Sequence, residues 1–425
     1  MRLRIIDRPV ESRQNFWPVA LSRPLWELRC GITSLGEKLE AKAKARDVAY
    51  FLPDYLAGVY RTKTSRPVND PSTLAGGDLL LVDARVKADS FTVPSGHSEV
   101  GLDGQGEVLY AYVAAGDAKK VQGGDLEAFL KSAKATLPNV QAKLPTWNYT
   151  WDLILASPHQ IATDFAALGR NGIEGTVEEP SALRGSRKDV YVAQGAKIHP
   201  MVVIDAANGP VYLDEDVEVH PFTRIEGPCF VGKKSILLGT KCREGNSIGP
   251  WCRVGGEVEE SIIQGYSNKY HDGFLGHAYV GEWVNLGALT TNSDLKNDYS
   301  TVSVMLDGKH CIDTGSTKVG ALIGDHTKTS IGVLFNTGSV IGAMALIMSS
   351  GKPLPKFIPS FGWFIEGVVT KGFGRKVLYE TAATAMGRRK CQWTEADRAM
   401  WDVIFELTAG PRDEAVKKGR KAMMK

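Results

Sequence analysis

The segment VGEWVNLGALTTNSDLKNDY, residues 280–299, carries the pattern that decides the fold of the second half of the chain. It opens with two aliphatic–glycine pairs six residues apart, Val280-Gly281 and Leu286-Gly287, and continues as a run of small and amide-bearing residues. A six-residue period differs from both the helical period and the simple alternation of a half-buried strand. It is typical of a parallel β-helix, in which each short strand of a triangular coil turns one aliphatic residue inward.

The same period extends over residues 183–350, with an irregular insertion at 300–320. Each coil buries its aliphatic residue only against the coils above and below, so stability grows with the number of stacked coils. We therefore predict a left-handed parallel β-helix over this range. The predicted inward positions are Val192, Ile198, Ile204, Leu213, Val219, Ile225, Val231, Leu237, Ile248, Val254, Val280, Leu286, Ile323, Ile331, Val340 and Ile341.

Residues 1–182 have a different pattern, in which strand-like and helix-like segments alternate. LRIID (3–7), VAYFLP (48–53) and LLLVDARV (79–86) read as strands, and GITSLGEKLEAKAKA (31–45) and DLEAFLKSAKATL (125–137) read as helices. This alternation predicts an α/β domain with a mainly parallel sheet. The polar stretch at 176–189 marks its boundary with the β-helix.

The third region, residues 351–425, begins with the proline- and aromatic-rich segment GKPLPKFIPSFGWF (351–364). We expect this segment to lie across the last coils and cap the open end of the β-helix. Two helices are predicted after it, and Thr394 is the predicted N-cap of the second. The tail is therefore predicted to be helical.

Composition narrows the classes of function. The net charge of +3 gives no argument for nucleic acid or a membrane surface as a partner. No apolar run reaches the length of a signal peptide core or a membrane span. The six cysteines have no spacing that suggests zinc or a disulfide framework. We expect a cytoplasmic protein with reduced cysteines.

The first domain offers two groups of candidate binding residues. Arg23, Glu27 and Arg29 precede a predicted helix start, where guanidinium groups and free backbone N–H groups would meet an anionic ligand. Asp83 and Arg85 follow the apolar strand, at the edge where open α/β sheets bind ligands. A salt-bridged surface turn is the alternative interpretation of each group.

In the β-helix, the polar segment GYSNKYHDGFLGH (265–277) interrupts the coils and contains His271. An imidazole titrates close to working pH, so His271 is a candidate general base. The alternative is a loop histidine that is hydrogen-bonded to the backbone.

The segment IIQGYSNKYHDGFLGHAYVGEWVNLGALTTNSDLKNDY (262–299) resembles the acetyltransferase half of the bifunctional N-acetylglucosamine-1-phosphate uridyltransferase/glucosamine-1-phosphate acetyltransferase family. The resemblance places His271 on the catalytic histidine, and Asn285 and Ala288 on positions that contact substrate or acetyl-CoA. Lys269 and Asn292 are predicted to belong to the same acyl-CoA and substrate site. The tyrosine that the family has three residues after the histidine is Phe274 here.

The whole chain is similar to a divergent branch of sugar nucleotidyltransferases related to that family, from FWPVALSRPLWELRCGITSLGEK (16–38) to PKFIPSFGW (355–363). The first domain departs from the family pattern, because no glycine-rich phosphate loop follows LRIID and Val82-Asp83-Ala84-Arg85 stands where a Gly-Asp pair is usual. The resemblance implies Mg²⁺ at Asp83. It implies a nucleotide and sugar-phosphate site formed by Arg23, Arg29, Lys38 and Arg85.

Three hypotheses follow for the function. The first is a sugar-1-phosphate nucleotidyltransferase fused to an acetyl-CoA-dependent acyltransferase, which would use a nucleoside triphosphate, a sugar-1-phosphate and an acyl-CoA. The second is an acyltransferase whose first domain only binds a nucleotide sugar, an alternative that the missing glycine-rich loop favours. The third is a non-catalytic trimeric scaffold. Proteins with this kind of β-helix commonly form trimers, so a homotrimer is expected under each hypothesis.

Overall fold

The computed structural model describes residues 1–349 and 351–424. The chain forms two compact units, one made of Met1–Gln14, Ser22–Leu28 and Thr33–Asn148, the other of Asn15–Leu21, Arg29–Ile32 and Tyr149–Lys425. The predicted succession of an α/β domain, a parallel β-helix and a helical tail is confirmed.

The first unit is built on a six-stranded mixed sheet of order β2-β1-β3-β5-β4-β6. Strand β1 is parallel to both β2 and β3, whereas β5 is antiparallel to both of its neighbours and β4 is parallel to β6. The elements are β1 (Arg2–Ile6), α1 (Leu35–Ala43), β2 (Asp47–Phe51), α2 (Asp54–Lys63), β3 (Leu79–Asp83), β4 (Glu99–Leu102), β5 (Val108–Val113), α3 (Leu126–Thr136) and β6 (Asn139–Gln141).

Local sequence explains the main elements of this unit. All five residues of β3 are buried, as expected for a central strand covered on both faces. Helix α1 begins at a capping box, in which the Ser34 side chain accepts the Glu37 backbone N–H and Glu37 accepts the Ser34 backbone N–H. Across both units, short 3₁₀ turns occur at Val10–Phe16, Val19–Leu21, Leu25–Glu27, Pro71–Leu74, Ala88–Ser90, Ala115–Asp117 and Arg187–Asp189.

The second unit begins with helix α4 (Thr150–Leu168), which precedes the β-helix. Its Ile161 and Phe165 pack on a row of aromatic side chains, Tyr191, Tyr212 and Phe230, that project from successive coils. The Phe165 and Tyr212 rings meet edge to face at 6.4 Å. Helix α4 therefore covers one outer face of the coils.

Three faces of parallel strands form the β-helix. The first face contains Gly172–Ile173, Val190–Val192, Val211–Leu213, Cys229–Val231, Asn246–Ile248, Ile262–Gly265, Tyr279–Glu282, Leu322–Ile323, Val340–Ile341 and Phe357–Ile358. The second contains Thr176–Val177, Lys197–Ile198, Glu218–Val219, Asn268–Lys269, Lys328–Thr329, Leu346–Met348 and Trp363–Ile365. The third contains Ala182–Gly185, Val203–Ala206, Arg224–Glu226, Phe274–Gly276, Thr291–Asn292 and Leu334–Phe335. The long strands Ile236–Cys242 and Arg253–Glu259 bend from the second face to the third.

The inward aliphatic residues form one continuous core. The predicted positions are buried except Ile331, whose side chain is 71% exposed. That prediction was wrong because the coil after Ile323 places Thr329 and Phe335 inward, and Ile331 then falls at an outer corner.

The insertion and the end of the β-helix also differ in detail from the predicted pattern. Val280 pairs directly with Ile323. The coil that begins at Val280 continues through Asn285 and Thr291–Asn292, and the chain then leaves the stack to form a hairpin of Ser303–Val304 with Ile312–Asp313. Strand pairing continues past residue 350, because Phe357–Ile358 and Trp363–Ile365 form a further coil. Val368–Thr370 then turns back antiparallel to that coil.

Three helices follow, α5 (Arg375–Gly387), α6 (Glu395–Leu407) and α7 (Ala409–Met423). Thr394 is the N-cap of α6, as predicted. Helix α7 packs so closely on Val368–Thr370 that a Cβ at Gly419 would lie 2.3 Å from the Val369 carbonyl oxygen. Among the described helices, none combines the length and apolarity needed to cross a bilayer.

Candidate functional site

In the first unit, a buried carboxylate ends β3 at the sheet edge where ligands are expected. Asp83 Oδ2 forms ion pairs with Arg8 Nε at 2.5 Å and with an Arg85 terminal nitrogen at 3.1 Å. Asp83 Oδ1 accepts the backbone N–H of Arg85 at 2.8 Å. Both oxygens of the predicted metal ligand are therefore engaged by donors.

A second buried carboxylate, Asp7, follows β1. Its Oδ2 lies 3.1 Å from Arg13 Nε and also accepts the backbone N–H of Leu25. Arg13 in turn donates to the backbone carbonyl of Arg23 at 2.5 Å. Burial raises the pKa of Asp7 to about 6, although the charge of Arg13 opposes this shift.

These contacts make the strand ends a cluster of arginines and carboxylates. Mg²⁺ needs several oxygen ligands in near-octahedral geometry, but the carboxylate oxygens here already accept guanidinium or backbone N–H groups. Asp83 therefore does not fit the predicted metal site. Arg8 also pairs with Glu107 at 3.0 Å, so carboxylates balance the guanidinium groups. Guanidinium groups at this sheet edge are suited to binding a phosphate. The cluster consists of the side chains of Asp7, Asp83, Glu107, Arg8, Arg13 and Arg85, and the backbone carbonyl of Arg23 contacts it.

The predicted nucleotide and sugar-phosphate residues do not all belong to one unit. The Arg85 side chain lies in this cluster, the backbone carbonyl of Arg23 contacts it, and Lys38 lies in α1 of the same unit. Arg29 belongs to the second unit, where its guanidinium donates to the Ile32 carbonyl at 2.6 Å and lies over the Phe230 ring at 5.2 Å. The contacts of Arg29 are therefore structural ones within the second unit.

In the β-helix, the segment after strand Asn268–Lys269 presents His271 at the surface. The Lys269 side chain points into the stack, where its ammonium group donates to the carbonyls of Gly255 at 2.8 Å and His271 at 2.7 Å. Burial lowers the pKa of Lys269 to about 8. Lys269 therefore fixes the backbone at His271, while the exposed imidazole packs edge-on against Tyr270.

Two other predicted contacts with substrate or acyl-CoA lie in the coil stack. Asn292 is buried, and its amide both donates to the Gly276 carbonyl at 2.9 Å and accepts the Gly276 N–H at 2.8 Å. The Ala288 carbonyl accepts the Gly332 N–H at 2.7 Å. These hydrogen bonds hold adjacent coils together. The side chains of Lys269 and Asn292 therefore form their hydrogen bonds inside the coil stack.

Asn285, the remaining predicted residue, lines a pocket of about 450 Å³ between the second face of the β-helix and α5. This volume lies within the range of about 300–1,000 Å³ that is usual for small-molecule sites. The pocket is lined by Tyr266, Asn268, Trp283, Val284, Asn285 and Lys328 of the coils and by Val377, Glu380, Thr381, Thr384, Ala385, Arg388 and Arg389 of the tail.

The pocket combines an aromatic wall with cationic groups. The Tyr266 and Trp283 rings stack at 4.4 Å. The Lys328 ammonium donates to the Trp283 carbonyl at 2.6 Å, and burial lowers the pKa of Lys328 to about 8. Arg388 and Arg389 add two guanidinium groups at the end of α5. Such a lining is suited to a nucleotide, whose base stacks and whose phosphates need cations.

A chain of hydrogen bonds orders the polar side of the pocket. Arg389 donates to Asn268 Oδ1 at 3.0 Å, and Asn268 donates to Asn285 Oδ1 at 3.1 Å. Within the described part of the chain, the buried Arg389 Nε reaches no hydrogen-bond acceptor. Burial lowers the pKa of Arg389, and the neighbouring charges of Arg253 and Arg388 act in the same direction. An anion in the pocket would relieve this unfavourable environment.

Sequence reasoning identified Asn285 but not the aromatic wall of this pocket, although a signal for that wall was present. An aromatic residue recurs once per coil at Trp251, Tyr266 and Trp283, each with positive φ at one corner of the β-helix. The contribution of α5 has no comparable signal, because helix placement against the coils depends on tertiary packing.

A buried histidine was also not predicted. His277 Nδ1 lies 2.8 Å from Asp294 Oδ2, and His277 Nε2 lies 3.3 Å from Glu260 Oε2. Burial alone would lower the pKa of His277, but the hydrogen bonds to Asp294 and Glu260 outweigh it and raise the pKa to about 9. His277 is therefore a buried imidazolium that links the coils to the insertion.

Comparison with known proteins gives matches to a family model, to curated relatives and to a solved structure. Residues 6–171 match a family model described as sugar nucleotidyl transferase. A bifunctional sugar-1-phosphate nucleotidylyltransferase/acetyltransferase of Sulfurisphaera tokodaii is 38% identical over 150 residues, which are 33% of this chain and 35% of the relative. A bifunctional protein GlmU of Thermotoga petrophila is 27% identical over 183 residues, 39% of this chain and 38% of the relative.

The aligned segments thus span little more than a third of each of these curated relatives. Among solved structures, a UDP-N-acetylglucosamine acyltransferase is 15% identical and covers 60% of this chain and 96% of its own, with a TM-score of 0.25.

Proposed function

Because this chain is a divergent relative of the bifunctional sugar-1-phosphate nucleotidylyltransferase/acetyltransferases, we propose that it is a two-domain transferase acting on activated sugars. Its β-helix transfers an acyl group from an acyl-CoA, with acetyl-CoA as the expected donor, to an amino sugar. Its first domain binds the phosphates of a nucleotide sugar. We further propose that the enzyme is cytoplasmic.

The observation that carries the acyl-transfer proposal is the pocket at Asn285. A position that the family resemblance assigns to substrate or acetyl-CoA lies in a pocket with an aromatic wall, Lys328 and two arginines. The 3′-phosphate and pyrophosphate of coenzyme A need such cations, and its adenine needs a flat apolar wall.

In the proposed reaction, His271 acts as the general base. Its imidazole accepts a proton from the sugar amine as the amine nitrogen attacks the thioester carbonyl. The C–N bond forms, the C–S bond breaks, and the coenzyme A thiolate leaves and takes up a proton. Lys269 is a positioning residue in this scheme, because its ammonium group holds the carbonyl of His271.

The test of the catalytic assignment is release of free thiol from acetyl-CoA in the presence of amino-sugar phosphates. We expect His271→Ala to lower the rate at least 100-fold, the usual contribution of general-base catalysis being about 10²–10⁴. His97→Ala, a change at an exposed histidine of the first unit, is the matched control and is expected to keep the wild-type rate. Equal rates in His271→Ala and wild type would refute the role of His271.

The test of the pocket is the affinity for coenzyme A measured by isothermal titration calorimetry. We expect Arg389→Ala to weaken binding about 10-fold or more, since a hydrogen bond to a charged group contributes about 1.5–3 kcal/mol. The neighbouring exposed Lys390 is not among the residues that line the pocket, so Lys390→Ala is expected to bind as wild type does. Equal loss in both variants would point to general charge attraction rather than to this pocket.

Nucleotidyl transfer by the first domain is the second candidate, and the family match over residues 6–171 favours it. Such transfer generally uses Mg²⁺ to neutralise phosphate charge, and the engaged oxygens of Asp83 argue against that residue as its ligand. The assay is pyrophosphate release from nucleoside triphosphates with sugar-1-phosphates. If no pyrophosphate is released in the presence of Mg²⁺, the domain has a binding role only.

A homotrimer is proposed as the working assembly. Apolar side chains that are more than half exposed lie at outer corners of the coils, which supports contact with other copies. They are Met201, Phe222, Leu289 and Ile331. Light scattering of the purified protein gives the mass that tests this proposal.

A further inference from the structure

Two histidines and a glutamate on the outer side of the second face form a compact group remote in sequence from the proposed catalytic segment. The β-helix itself brings them together. Ile198 pairs with Val219 on the adjacent coil, so His199 and His220, one residue later on each coil, are stacked. Glu218 precedes Val219 and therefore points to the same side of the strand as His220.

The distances in this group match those of a metal site. Glu218 Oε1 lies 3.0 Å from His199 Nε2 and 3.4 Å from His220 Nε2, and the three ligand atoms lie within 4.8 Å of one another. Zinc binds nitrogen and oxygen ligands at about 2.0–2.2 Å, so neighbouring ligand atoms of a tetrahedral zinc are about 3.3 Å apart. Small adjustments of three half-exposed side chains would place all three atoms around one ion.

Glu178 adds a carboxylate at the second ring nitrogen of His199, a feature that a simple ion pair does not require. It lies 3.3 Å from Nδ1 of His199, the ring nitrogen on the opposite side from Glu218. In zinc sites, a coordinating histidine usually donates its second N–H to a carboxylate, which fixes the tautomer and the orientation of the ring. With Glu178 in that position, Nε2 of His199 is directed at the metal.

From this geometry we propose that His199, Glu218 and His220 bind a zinc ion, with Glu178 as the carboxylate that orients His199. Two imidazoles and one carboxylate are a donor set that zinc prefers, and three protein ligands leave the fourth position for water. No cysteine takes part, which explains why the spacing of the cysteines gave no indication of zinc. This site is independent of the proposed acyl transfer.

The test is zinc binding by the full-length chain without a histidine tag, after treatment with a chelator. Titration calorimetry with ZnCl₂ is expected to give one zinc ion per chain. We expect His220→Ala and Glu218→Gln each to lower the zinc affinity at least 10-fold. Cobalt(II) added in place of zinc should give the intense visible absorption of a tetrahedral site, and this absorption should be lost in the same variants.

Glu178→Gln tests the orienting role, because loss of such a partner weakens metal affinity about 10–100-fold while the ligands remain. We expect it to keep the stoichiometry of one with reduced affinity. His310→Ala is the matched control, because His310 also pairs with a carboxylate, Asp307 at 2.6 Å, but lacks a second histidine. Absence of stoichiometric zinc binding, or equal binding by wild type and His220→Ala, would overturn the proposal.

Discussion

At the scale of single residues, the buried imidazolium of His277 makes stability depend on pH. Its pKa is about 9 in the folded chain, above the ordinary value of 6.5, because Asp294 and Glu260 hold its proton. The folded state therefore retains a proton that the unfolded chain releases. The stabilising contribution is complete below pH 6.5 and is lost as pH rises through about 9.

We predict that His277→Gln lowers the free energy of unfolding by on the order of 3 kcal/mol near pH 6, from the linkage of one pKa unit to about 1.4 kcal/mol. The difference from wild type should shrink as pH rises from 7 to 10. Urea denaturation across this range measures it. The lowered pKa values of Lys269 and Lys328 make stability rise with pH, which is the opposite trend. The test therefore compares the variant with wild type at each pH, because both proteins contain these lysines. A difference that does not change with pH would contradict the prediction.

The sequence predicted some of the candidate residues but not their orientation. The resemblance led to Asn285, which lines the pocket, and also to Lys269 and Asn292, whose side chains are bonded inside the stack. Six-residue spacing assigns inward positions to aliphatic residues, and a lysine or asparagine at such a position looks like a surface residue. Only the coil register shows that Lys269 lies opposite Val254.

At the scale of elements, the start of α6 depends on one side chain. Thr394 Oγ1 accepts the Asp397 backbone N–H, and the Asp397 carboxylate accepts the Thr394 backbone N–H. These two bonds form a capping box. We predict that Thr394→Ala lowers the free energy of unfolding by about 1 kcal/mol. Thermal or urea denaturation measures this change.

Thr381→Ala is the control for that prediction. Its hydroxyl donates to the Val377 carbonyl within α5, and such a bond inside a helix contributes little. We expect this variant to be nearly as stable as wild type. An equal loss in both variants would mean that the loss of a hydroxyl, and not of the cap, is what the experiment detects.

Elements with a regular pattern were predicted, and those without one were missed. The strands at Asp47–Phe51 and Leu79–Asp83 and the helix at Leu126–Thr136 appear where their apolar patterns placed them. Helix α4 was missed because Pro158 interrupts a segment that is apolar on several sides. Helix α7 was missed because Gly410 and Pro411 at its start read as a turn, although the first helical turn tolerates proline.

At the scale of the whole molecule, the stacked coils share one core, so position along the stack determines the cost of a cavity. Ile248 is buried between coils on both sides, whereas Ile358 lies in the last strand of the first face. We predict that Ile248→Ala lowers the free energy of unfolding by about 2–5 kcal/mol.

Ile358→Ala removes the same atoms at the end of the stack, and the final coil can open alone. We therefore expect a smaller change in global unfolding, with faster hydrogen exchange confined to about residues 351–365. Urea denaturation and hydrogen exchange followed by mass spectrometry distinguish the two variants. Equal global losses would show that the last coil unfolds only with the rest of the β-helix.

The overall architecture was predictable because the six-residue period has few structural solutions. The strand arrangement in the sheet of the first unit was less predictable. Strands β4 and β5 are antiparallel partners that lie between β3 and β6. An alternation of strands and helices does not reveal the direction in which such a hairpin enters the sheet. The division into units at Asn148 and Tyr149 also has no local signal, because α4 is helical like the segments before it but belongs with the coils.

The direct pairing of Val280 with Ile323 has an evolutionary consequence. The coils on either side of the inserted hairpin meet as if no residues lay between them. Gains and losses of sequence can therefore accumulate at the hairpin tip, between Ser303–Val304 and Ile312–Asp313, without shifting the register of later coils. Chains descended from the same ancestor are expected to differ in length most at this point.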